Sequence, residues 1–195
     1  MRFLLLIATV TLFTSSAFAD NVIDSLEKAK SLYSQGKYYK AVTELNFAIG
    51  LIQDKQLDKF KALLPEPPSG WSAGEVEGSR AAGQIMGGGI TVSRTYNSPD
   101  GQEVRIEMIT DSPLLSSVMM ILSNPMLMGS GRLVAINGEK GIEEWNPQEH
   151  SGKIQIVLLN RMLITVNGNN IKSKDVLYDF AKKLDFSKIK KTMEE

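Results

Sequence analysis

Four methionines and one histidine are the side chains of this sequence whose chemistry first asks for an explanation. Met119, Met120, Met126 and Met128 lie close together, and thioether sulfur is a soft ligand suited to Cu(I). The same side chain fills gaps in apolar cores and gives an adaptable rim to an apolar ligand or partner helix. Because Met119 and Met120 fall inside an apolar helical pattern, core or groove packing is the expectation and a periplasmic Cu(I) site the alternative. His150 stands beside Glu149 and near Glu143 and Glu144. A metal site would need those carboxylates to converge on the ring, and residues strung across a turn give no reason for that. A Ser-His-Asp triad would have to use the same imidazole, yet there is no Gly-x-Ser-x-Gly elbow; Ser130 has glycine neighbours without that spacing.

Other spacings carry less. Ser25-Leu26-Glu27-Lys28 and Ser34-Gln35-Gly36-Lys37 fit Ser-x-x-Lys, but the companion motifs of that acylase chemistry are missing, and chance or helix capping accounts for both. The glycines Gly83 and Gly87-Gly88-Gly89 lack the Lys-Ser/Thr of a phosphate loop and lead into a strand, so they are read as a flexible run or bulge. An enzyme could also use carboxylates, Arg and Tyr alone. Arg94, Tyr96, Arg105 and Glu107 share one hairpin, but pairing on a sheet surface is the default, and only a pocket burying several together would raise a hydrolase-type alternative. No catalytic residue, metal ligand or cofactor is assigned, and the chain is expected not to be an enzyme.

Composition narrows the setting. Met1-Arg2, an apolar run from Phe3 to Phe13, and Ala17-Phe18-Ala19 have the order of a secretory signal peptide, with cleavage expected after Ala19. Removing the first 19 of 195 residues leaves 176, with 21 basic and 22 acidic residues, a net charge of −1 with His neutral. So balanced a charge argues against a nucleic-acid partner. The run is too short to span a bilayer comfortably and no later stretch is apolar enough, so no integral membrane segment is expected after cleavage. There is no Cys, which excludes disulfides, thiolate metal sites, a cysteine nucleophile and an N-terminal lipid anchor through Cys. No Asn starts an Asn-x-Ser/Thr acceptor, which favours a bacterial periplasm over a eukaryotic secretory route.

Periodicity then supplies the elements. Val22, Ile23, Leu26, Ala29, Leu32 and Tyr33 make one helical stripe; Tyr38, Ala41, Val42, Leu45, Ala48, Ile49 and Ile52 make a second beyond Gly36. Leu57, Phe60, Leu63 and Leu64 extend that helix or form a third, and Pro65-Glu66-Pro67-Pro68-Ser69-Gly70 forbids helix. The predicted layout is a helical hairpin over 20–64, a Pro-rich linker over 65–70, an α+β sandwich domain over 71–190 and a tail over 191–195. Within the domain, Ile90–Tyr96 and Val104–Met108 alternate about the turn Asn97-Ser98-Pro99-Asp100-Gly101. A helix follows, capped by Asp111 or Ser112 with Pro113 in its first turn. Leu133–Ile136 and Lys140–Trp145 join at Asn137-Gly138. Lys153–Leu159 and Met162–Val166 join at Asn160-Arg161, with Val157-Leu158-Leu159 suggesting burial on both faces. Asn167-Gly168-Asn169-Asn170 is expected to turn, and one last helix to start near Ser173 and bury Val176, Leu177, Phe180, Ala181 and Leu184. Lys182, Lys183, Lys188, Lys190 and Lys191 follow as a solvated helix end that complements the macrodipole, with anionic lipid as the alternative contact.

At Gly36-Lys37-Tyr38, Ala41, Leu45 and Ala48 the hairpin resembles the turn and second helix of a tetratricopeptide repeat, without a second copy. A lone unit of that kind cannot bury its own faces. It must pack on the chain, on a partner groove, or on a second copy as a homodimer. The Gly70-Trp71 start, the element order and the closing helix after Leu163-Ile164-Thr165-Val166 resemble the PsbP/Mog1/DcrB-like group of small sandwich domains. That resemblance implies an exported accessory or assembly protein without catalysis. The expected function is binding of a protein partner or apolar ligand, through Tyr38 and Leu45 of the hairpin and Met119, Met120, Met126 and Met128 of the helix-loop.

Overall fold

The computed structural model describes residues 21–80 and 89–194. The leader at Met1–Ala19 and the glycines Gly83, Gly87 and Gly88 lie outside them. The chain divides into two compact units between Leu51 and Ile52.

The first unit holds helix α1 (Asn21–Ser34) and the start of α2 (Tyr38–Lys61). Gly36 ends α1 with φ +72°, and its N–H and that of Lys37 reach back to the carbonyls of Tyr33 (2.9 Å) and Leu32 (3.0 Å). This paired closure needs a left-handed residue, which Gly adopts without steric cost. Between the helices the buried residues are small: Val22, Ser25 and Ala29 from α1, Ala41 and Ala48 from α2. A 2.9 Å ion pair joins Lys28 to Glu44.

The second unit is built on one antiparallel sheet. Its strands are β1 (Ser72–Ala73), β2 (Glu77–Arg80), β3 (Ile90–Asn97), β4 (Glu103–Thr110), β5 (Arg132–Ile136), β6 (Glu139–Asn146), β7 (Ser151–Leu158) and β8 (Met162–Asn169). They lie in the order β1-β3-β4-β8-β7-β6-β5, with β2 also beside β3. Helix α3 (Leu114–Ser123) carries the chain to the far edge, from which β5 to β8 walk back to meet β4. Helices α4 (Asp175–Ala181) and α5 (Phe186–Glu194) close the chain. The architecture is α+β, as expected.

The two faces of the sheet differ. On one, Val92, Tyr96, Ile106, Met108, Ile154, Ile156, Ile164 and Val166 pack with Leu177, Phe180 and Ile189 of the closing helices, with Leu184 between them, and with Phe60 and Leu64. Trp71 sits edge-on to Phe180 with ring centroids 5.0 Å apart. The Tyr96 hydroxyl donates to the Pro65 carbonyl at 2.7 Å, and Arg94 donates to the same oxygen at 3.1 Å. Burial pushes the Tyr96 phenol up to about 12, against the opposing pull of Arg94. On the other face, Leu115 and Val118 of α3 cover Ile142 and Leu163, with Met128 and Val157 beside them.

Several expectations need correction. The β7–β8 turn is one residue earlier than Asn160-Arg161: Leu159 (φ +52°) and Asn160 (φ +54°) are its central pair, closed by a 3.0 Å bond from Arg161 N–H to the Leu158 carbonyl. Leu159 is therefore an exposed turn residue. The strand buried on both faces is β8, because it lies between β4 and β7 under helices on either side. Asn167-Gly168-Asn169 does not turn; it continues β8, pairing with Glu103, Val104 and Arg105. Gly168 lets Ile171 and Leu177 close over the strand, since a Cβ there would lie 2.6 and 2.8 Å from them. The single closing helix is two, and Asp185 accepts the Lys188 N–H at 2.9 Å at the start of α5. Pro113 is the residue before α3 and no side chain of that position caps it; Ser112 Oγ accepts the Leu114 N–H at 3.2 Å, while Asp111 is held by Arg161.

Candidate functional site

The hairpin presents an apolar concavity. Tyr38, Val42, Leu45 and Ile49 recur at spacings of four, three and four on α2, so helix geometry stacks them in one stripe. Leu26 and Tyr33 rise beside them from α1. A groove of about 420 Å³ lies between, lined by Leu26, Tyr33, Tyr38, Val42 and Leu45 with Ala29, Lys30 and Ala41. Tyr33 and Tyr38 close its loop end, with ring centroids 5.4 Å apart. Tyr38 is 62% exposed and Leu45 43%, so both face solvent across the groove. The large apolar side chains lie outside and only small ones between the helices, because Ala41 and Ala48 bring the backbones close and leave no room for a core. Lys30, the one charged lining residue, is bridged to Glu27 at 3.3 Å.

The four methionines have separate fates. Met119 lines a second groove of about 470 Å³ with Leu122, Val157, Leu159, Lys140 and Lys190. Met128 packs on the apolar cluster under α3, while Met120 and Met126 project into solvent, Met126 at 93%. Met119 and Met120 diverge because neighbouring residues on a helix point about 100° apart. The terminal lysines are not a uniform fringe: Lys190 pairs with Glu139, and Lys182 lies 6.0 Å from the Tyr178 ring centroid.

Of the charged residues that matter most, only Glu143 stood out in the sequence, and only as a carboxylate near His150. Glu143 is only 4% exposed, yet Arg132 binds it at 2.8 Å through Nε and 3.1 Å through Nη2, Lys174 lies 3.5 Å away, and the Tyr178 hydroxyl donates to it. Burial opposes ionisation of Glu143, but the hydrogen bonds from Arg132 and Tyr178 and the charge of Lys174 outweigh it and hold the carboxyl below its ordinary value. Burial and the same carboxylate raise the Tyr178 phenol. A signal was available: the two-residue turn Asn137-Gly138 forces Arg132 to face Glu143 across the hairpin. Contacts from Arg132, Lys174 and Tyr178 converge on both carboxylate oxygens, so the cluster clamps α4 to the sheet edge.

The remaining chemistry is dispersed. Arg94 and Tyr96 lie on the face under α4 and hold Pro65, whereas Arg105 lies on the opposite face with Ser93 (2.6 Å) and Glu77 (3.0 Å). His150 sits in an exposed turn with φ +49°, its carbonyl accepting from the Ile171 N–H at 2.9 Å. Among the described residues no three His, Asp or Glu gather as a metal site, and no helix is long and apolar enough to cross a membrane.

Comparison of the chain with protein-family models, with curated proteins and with solved structures finds no match.

Proposed function

We propose that this protein is an exported, noncatalytic accessory or assembly module that docks on an apolar protein segment through its helical hairpin. The observation that carries the reading is the groove of Leu26, Tyr33, Tyr38, Val42 and Leu45, apolar and open to water. Apolar surface is worth about 25 cal/mol per Å² when covered, and a contiguous exposed patch is the usual mark of an interaction site. The leader pattern and the lack of an Asn-x-Ser/Thr acceptor support export to the periplasm, and the near-zero net charge supports a protein partner over nucleic acid. The order of strands, α3, further strands and closing helices supports kinship with the PsbP/Mog1/DcrB-like domains.

A photoreactive side chain placed at Leu45 is expected to form discrete protein adducts in the cell, with none from the same group at Glu149. Equal labelling from both positions would sink the docking role. Fusion of residues 1–19 to a reporter active only outside the cytoplasm should give activity; a silent reporter with normal expression would remove the export assignment.

A further inference from the structure

We infer that the occupant of the hairpin groove is a second copy of the same hairpin, laid antiparallel so that two α2 helices form the seam of a four-helix dimer. This rests on the docking role proposed above and names its partner.

The spacing is self-complementary. Tyr38, Val42, Leu45 and Ile49 follow the 4-3-4 repeat of a helix–helix seam. When two such stripes run antiparallel about a two-fold axis, Val42 meets Leu45 of the other copy and Tyr38 meets Ile49. Ile49, which follows Leu45 on the α2 stripe beyond the lined groove, thus meets the Tyr33–Tyr38 pair that closes the groove of the other copy. Charge agrees with a homotypic contact. The positions flanking the stripe on its free side are Tyr39 and Asn46, both exposed and uncharged, so two copies bring no like charges together. Lys30, which lines the groove, is paired within its own copy with Glu27 at 3.3 Å.

Area agrees as well. Ile23, Leu26, Tyr33, Tyr38, Val42, Leu45 and Ile49 are each exposed by about four-tenths or more. At on the order of 100 Å² apiece they supply roughly 700 Å², close to the about 800 Å² that each partner gives to a standard interface. The first unit also requires a permanent cover, since among its described residues only Val22, Ser25, Ala29, Ala41 and Ala48 are buried. A symmetric second copy is the simplest source of one.

Sedimentation equilibrium of the purified full chain should give twice the mass of one chain. Val42→Glu should shift it to a single chain with the near-ultraviolet dichroism of the sheet unit unchanged. Because the chain has no Cys, Val42→Cys and Leu45→Cys chains mixed and oxidised should give more covalent dimer than either alone, a result that does not depend on how the Glu variant folds. A monomeric wild-type chain, a dimer that survives Val42→Glu, or cross-linking of the Val42→Cys chain alone that matches the mixture would each overturn the dimer. A monomer whose Leu45 adducts contain a different protein overturns the dimer and leaves the docking role standing. A monomer without adducts ends both.

Discussion

The two units of this chain use apolar residues in opposite ways. The sheet unit buries its large side chains: Tyr96, Phe180, Ile106, Met108 and the isoleucines of β7 and β8 are almost fully covered. The hairpin buries alanine, serine and one valine while Tyr33, Tyr38, Val42, Leu45 and Phe47 face solvent. The difference is that the sheet's two faces are served by helices of its own unit, whereas the two hairpin helices meet through their smallest residues. A unit organised in the first way is stable by its own core; one organised in the second way is a surface waiting to be covered.

That contrast can be broken most sharply in the core. Phe180→Ala should cost the sheet unit about 3–5 kcal/mol in denaturant unfolding, because the ring supports both Trp71 and Tyr96. Leu45→Ala should leave that transition in place; equal losses would mean that the hairpin is part of the same core. Next comes Glu143→Ala, expected to cost about 2 kcal/mol once the half-exposed Arg132 is discounted for solvent. The folded Glu143 pKa is depressed, so its stabilisation is present above the unfolded value and is lost as pH falls through the folded one. The wild type should therefore lose more stability than Glu143→Gln on titration below about pH 4. Parallel acid limbs would show that the cluster contributes nothing.

Gly168→Ala should cost about 1–3 kcal/mol, since the added methyl must displace Ile171 and Leu177. Smallest at neutral pH is Tyr96→Phe, about 1 kcal/mol, because Arg94 still serves the Pro65 carbonyl. Its signature is alkaline. The folded phenol is raised to about 12, so its stabilisation is complete below the unfolded value near 10 and declines as pH rises toward 12. The wild type should lose roughly 2–3 kcal/mol over that window, a decline that Tyr96→Phe lacks when unfolding is followed against pH.

Much of this was legible before any coordinates, where local chemistry dictates geometry. Gly36 stops α1, Asn137-Gly138 turns β5 into β6 with both residues at positive φ, and the alternation of β3 and β4 places Val92, Tyr96, Val104 and Ile106 inward. Local signals misled where tertiary demand prevailed. Asn167-Gly168-Asn169 carries turn residues, yet the ladder with β4 holds it extended and Gly168 is used for close approach. Leu159 accepts a left-handed turn conformation because the register of β7 and β8 is set by the buried Leu158 and Met162 on either side.

Sequence alone determined the fold class, the order of β3 to β8 about α3, the absence of Cys and the stripe of Tyr38, Val42, Leu45 and Ile49, because these depend on residue type and spacing along the chain; the short strands β1 and β2 and the break between α4 and α5 were not legible in it. Only the tertiary structure decided which stripes are covered, that β8 rather than β7 is enclosed on both faces, and that Glu143, Arg132, Lys174 and Tyr178 meet at one sheet edge. Burial and ion pairing are properties of what lies across from a residue, and strand order, which is a long-range choice, sets that neighbour.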